Sequence, residues 1–136
     1  MLYLIPAESQ AVKLTWSVGS EAPIHGWYSA GWGHKTPATV IVYERQNPAS
    51  TLMATLLYPC HEGETCDDVG ITILPISEGK GLAFKVTSRH GDDYLMLSQD
   101  NRLKQFGPYR SRGLVAGVRA DEAGHVLTSF EWQTDH

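Results

Sequence analysis

Residues 26–59 read GWYSAGWGHKTPATVIVYERQNPASTLMATLLYP. Within them Thr39 to Arg45 (TVIVYER) alternates as a strand should, with Val40, Val42 and Glu44 on the face opposite Thr39, Ile41 and Tyr43. Gln46-Asn47-Pro48-Ala49 reads as a hairpin connection. Ser50 to Tyr58 then reads as the returning partner, with Leu52, Ala54 and Leu56 on one face. Before the strand, Gly26 to Pro37 is rich in aromatic residues and glycine and reads as a loop offering a recognition surface.

The same period of two extends outward in both directions. Leu2 to Ile5 is a short apolar strand. Val12, Leu14, Trp16 and Val18 alternate with Lys13, Thr15 and Ser17, a half-buried pattern, and Gly19 to Pro23 turns the chain. Pro59 to Val69 is an acidic loop carrying Glu62, Glu64, Asp67 and Asp68. Ile71 to Ile76, Leu82 to Thr87 and Tyr94 to Ser98 form a meander, with turns at 77–81 and 89–93. Leu103 to Phe106 is short, and Leu114 to Arg119 and Val126 to Gln133 make a last pair around Asp121-Glu122-Ala123-Gly124. About ten short strands at this spacing, with no sustained helical period, predict an all-β fold. The expected form is an antiparallel β-sandwich, one domain over residues 1–136.

Composition narrows the partners. A net charge of −4 argues against nucleic acid and anionic membrane, which need basic surface. No run approaches membrane-spanning length, and no basic-then-apolar leader is present. Met1 runs at once into strand-like Leu-Tyr-Leu-Ile-Pro, so the chain is expected to be cut from a longer protein. The missing leader then says nothing about the parent, for which a periplasmic or secreted setting is favoured. Cys60 and Cys66 could be free thiols or could close a small disulfide loop. A metal site with His61 lacks a fourth ligand, so neither metal nor cofactor is expected.

Aromatic rings are natural carbohydrate contacts, since the C–H face of a sugar stacks on an indole or phenol. Trp27, Tyr28 and Trp32 could form such a platform, and His34 and Lys35 would add donors for a carboxylate or sulfate. Alternatively Trp27 and Tyr28 sit in a short strand and fill the core, which leaves Trp32, with glycine on both sides, the better candidate for exposure. His25, His34, His61, His90 and Tyr28 are the candidate acids and bases, but no spacing assembles them into a catalytic set. Arg102, Lys104, Arg110, Arg112 and Arg119 could form a basic patch around Tyr109, or an ordinary charged strand face. The acidic pairs Asp67-Asp68, Asp92-Asp93 and Asp121-Glu122 all fall in turns, where Asp is favoured by the backbone. Asp92-Asp93 with Glu78 lacks the spaced oxygen ligands of a calcium loop.

Four phrases carry a family resemblance: Gly26-Trp27-Tyr28-Ser29, Lys35-Thr36-Pro37-Ala38, Val42-Tyr43-Glu44-Arg45 and Thr55-Leu56-Leu57-Tyr58-Pro59. Over this first half the chain resembles the carboxy-terminal β-region of heparinase II/III-like polysaccharide lyases. The resemblance implies a parent with a helical toroid that cleaves uronate-containing polysaccharides by β-elimination. Such a reaction needs a base, an acid and a group that neutralises the uronate carboxylate. The family's catalytic residues lie mostly outside this region, so none is carried over. The implied role is an accessory, non-catalytic β-sandwich that contacts an acidic polysaccharide or oligosaccharide and packs on the toroid. Two rival readings are an autonomous carbohydrate-binding module and a small stand-alone carbohydrate-active enzyme.

Overall fold

The computed structural model describes residues 2–7, 12–45, 54–61, 63 and 65–133. Among them the chain is all-β and antiparallel, with fifteen strands rather than about ten. The surplus comes from short ribbons that sequence periodicity is too coarse to resolve. Two compact units divide the chain: Met1–Ala7 with Ala54–His136, and Glu8–Met53.

The first unit is built on a five-stranded sheet. Its strands are β9 (Gly70–Leu74), β10 (Gly81–Ser88), β11 (Gly91–Ser98), β14 (Val115–Ala120) and β15 (Val126–Trp132), in the order β15-β14-β11-β10-β9. The expected meander and last pair are both present. On one face Ala83, Met96 and Ala116 lie side by side in register, each nearly inaccessible to water. A small hairpin, β12 (Lys104–Phe106) with β13 (Tyr109–Ser111), covers that face and drives Phe106 into the cluster. Tyr109 meets Tyr94 edge to face at 5.0 Å between ring centroids. Burying a side chain the size of Phe106 or Met96 stabilises the unit by about 1.5–3 kcal/mol each.

The remaining ribbon of this unit corrects the expected pairing. Thr39–Arg45 does not pair with the segment that ends at Tyr58. Instead β1 (Leu2–Pro6) pairs with β8 (Thr55–Pro59), in register from Leu2↔Pro59 to Pro6↔Thr55. Ala7 N–H donates to Ala54 C=O at 2.9 Å and continues the ladder. Alternation fixes which residues share a face but not which strand is the neighbour, and sequence adjacency misleads here because residues 8–53 form a unit of their own. The expected connection at 46–49 and residues 50–53 lie outside the described residues. After β8 the chain is pinned by a disulfide between Cys60 and Cys66, both buried.

In the second unit β2 (Val12–Val18) pairs with β7 (Thr39–Arg45) along its whole length, from Val12↔Arg45 to Val18↔Thr39. The ribbon shows the expected faces, but Leu14, Trp16 and Val18 are exposed rather than half-buried. Beyond it come two shorter hairpins, β3 (Ser20–Glu21) with β4 (Ile24–His25), and β5 (Trp27–Gly31) with β6 (His34–Pro37). All three ribbons meet at Gly26, whose carbonyl accepts from Gly19 N–H at 2.8 Å and from Ala38 N–H at 2.9 Å.

Candidate functional site

The stretch read as a loop is the β5–β6 hairpin. Its two-residue turn, Trp32-Gly33, is possible because Gly33 takes φ 76°, open to glycine at no steric cost. A bulge after Tyr28 sets Ser29 and Ala30 out of register, and Ser29 Oγ donates to Gly31 C=O at 2.8 Å.

Pleating then sorts the five candidate residues. Trp27 and Lys35 share one face. Trp27 is half-buried, and its Nε1–H donates to Ser20 C=O at 2.9 Å. Lys35 Nζ lies 4.1 Å from the indole centroid and pairs with Glu21 Oε1 at 2.7 Å. At this exposed position the cation–π contact contributes about 0.5–1 kcal/mol. It also covers one face of the Trp27 ring, so Trp27 and Lys35 brace the hairpin against β3. Tyr28 and His34 fall on the opposite face, both exposed, Tyr28 beside its cross-strand partner Thr36. Trp32 stands at the tip with its side chain wholly in solvent, at 101% relative exposure. The three aromatics therefore do not form one coplanar platform.

The other candidates are scattered. His25 shares a 3.0 Å hydrogen bond with Ser17 Oγ. His25 and His34 belong to the second unit, and His61 and His90 to the first. Two of the five basic candidates, Lys104 and Arg119, are each engaged by an acidic partner of their own. Lys104 is completely buried and its Nζ is bound by Asp100, by the Asp100 carbonyl at 3.1 Å and by the Arg102 carbonyl at 3.3 Å. The Lys104 ammonium, with the Arg102 and Lys80 amides, holds the Asp100 carboxyl down at about 2. Arg119 sits on the five-stranded sheet, tied to Asp93 through Nε–Oδ1 at 2.6 Å and Nη2–Oδ2 at 2.7 Å. Asp92 and Asp93 lie in β11 rather than in a turn, and Asp92 pairs with Lys85 at 2.8 Å, while Asp121 caps the turn to His125, whose N–H it accepts at 2.8 Å. Among the described residues no group of three or more His, Cys, Asp or Glu could hold a metal ion.

One concavity was not foreseen. On the sheet face away from Met96, two neighbouring cross-strand rows lie side by side. One is apolar, Leu95–Gly117–Phe130; the next is polar, Asp93–Arg119–Thr128. Leu56 and Tyr58 of β8 face them across a cleft of about 550 Å³. The hydrogen bond to the Asp93 carboxylate is the main cause that raises the Arg119 guanidinium above its ordinary value, and the Tyr58 phenol adds to it. Asp93 reads as a turn residue in the sequence, and only the register across three strands brings it beside Arg119 and Thr128. No family model, curated protein or solved structure matches the chain.

Proposed function

We propose that this chain is a non-catalytic β-module of a polysaccharide lyase resembling the heparinase II/III-like family, and that its β5–β6 hairpin contacts an acidic polysaccharide. The observation that carries the reading is Trp32, an indole fully in solvent on a turn closed by Gly33. An apolar ring held out by a braced hairpin loses water favourably only when something stacks on it. Tyr28 and His34, exposed on one face of the same hairpin, extend the contact along a sugar chain. Trp27 and Lys35 act one step back, fixing the hairpin through Ser20 and Glu21. The ribbon β2–β7, with Leu14, Trp16 and Val18 exposed on one face, offers apolar surface to the parent's helical domain. The scatter of the histidines over separate elements supports a module without turnover of its own.

The test is a titration of the isotope-labelled chain with heparin, chondroitin and alginate oligosaccharides. Saturable shifts are expected at the Trp32 indole N–H and the His34 amide, with no rise in unsaturated-uronate absorbance. Trp32→Ala is expected to abolish the shifts with the fold intact. A well-folded sample that responds to none of the three glycans overturns the contact reading.

A further inference from the structure

We propose that the cleft between β8 and the five-stranded sheet is a binding site for an uncharged hexopyranose unit. The proposal does not rest on the hairpin reading: it concerns the other unit, other residues and a ligand without charge.

The chemistry of the two rows argues for this class. A pyranose has an apolar C–H face and a rim of hydroxyl groups. The row Leu95–Gly117–Phe130 supplies the apolar floor. Gly117 contributes no side chain, and the Phe130 ring lies across it, since a Cβ built on Gly117 would stand 2.3 Å from Phe130 Cε1. Phe130 nevertheless remains 55% exposed, so it offers ring surface to a guest. The adjacent row supplies the rim contacts. Arg119 and Asp93 are bound to each other through two parallel hydrogen bonds. That leaves further guanidinium N–H donors and carboxylate lone pairs at the same place.

The pair cancels its own charge, so it exerts little pull on a free anion or cation. A group that both donates and accepts can use Arg119 and Asp93 together, and two vicinal hydroxyls do so in one plane. The Thr128 hydroxyl, next in the same row, and the Tyr58 phenol across the cleft complete a set of polar tips around an apolar floor. A volume of about 550 Å³ suits a small-molecule ligand.

The full chain, isotope-labelled, would be titrated with maltose, cellobiose and diacetylchitobiose, and with glucuronate as the charged control. At least one neutral disaccharide is expected to give saturable shifts at the amides of Leu95, Thr128 and Phe130. Thr128→Val, at an exposed position, and Arg119→Gln are each expected to weaken that binding about tenfold, the cost of one lost hydrogen bond. Trp32→Ala is expected to leave it unchanged. No saturable shift with any neutral probe, shifts that both cleft variants leave intact, or a response to glucuronate alone would each overturn the proposal.

Discussion

Asp100 is a heavily engaged carboxylate. It accepts from Lys80 N–H at 3.2 Å, from Arg102 N–H at 3.1 Å and from the buried Lys104 ammonium. Gly79 keeps the space: a Cβ there would stand 2.8 Å from Asp100 Oδ2 and 3.0 Å from Lys104 Cε. Because the folded-state pKa is pulled down to about 2, the contribution to stability is complete above the ordinary carboxylate value of about 4 and is lost as pH falls towards 2. Asp100→Asn should therefore lower the melting temperature at neutral pH, and the gap to the parent chain should close between about pH 4 and pH 2. Melting curves across that window check it; a gap that stays constant would show that the carboxylate charge plays no part. In the sequence Asp100-Asn101-Arg102 reads only as a turn, and Lys104 as one member of a basic patch. Nothing in residue type signals a fully buried lysine whose ammonium is held by the backbone carbonyls of Asp100 and Arg102.

At the scale of elements, the second unit depends on one carbonyl. Gly26 is buried with φ 75°, and a Cβ on it would meet Ala38 O at 2.9 Å, Gly19 N at 2.9 Å and Ser17 O at 3.0 Å. All three are backbone atoms, which cannot swing aside. Gly26→Ala should cost about 1–3 kcal/mol from conformational strain alone and open both short hairpins together. Amide exchange is the measurement: Gly19 and Ala38 should lose protection in step, and loss at only one of them would refute the shared junction. The strands themselves were largely legible. Thr39–Arg45 is found at the bounds its alternation predicts, and the meander from Gly70 to Ser98 is found in order. The hairpins around Gly26 were not, because Trp27, Tyr28 and the flanking glycines break the period of two, and a bulge after Tyr28 removes what alternation remains. The candidate residues were legible as a group, but their division between two faces follows from the pleat and that bulge. The cleft was illegible for a different reason: its polar row draws one residue from each of β11, β14 and β15, which no local window of sequence contains.

Taken whole, the molecule is a sheet-based unit interrupted between its first two strands by a second unit. The interruption begins and ends at a single point, where Ala7 N–H meets Ala54 C=O. Replacing residues 8–53 with a short turn should therefore leave the ribbon β1–β8 and the five-stranded sheet folded, visible as unchanged shifts at Met96 and Phe106. An unfolded deletion variant would instead mean that the first unit depends on the second. The same feature bears on the order of events as the chain leaves the denatured state. Pro6 can find Thr55 only across all of residues 7–54, a closure about 2 kcal/mol costlier in chain entropy than that of a tight turn. Once Val12 and Arg45 are zipped together, most of that distance is already spanned. The inserted unit thus acts as a splint: it should form early, and the two ends of the interrupted ribbon should close late, at a speed set by how fast the splint assembles.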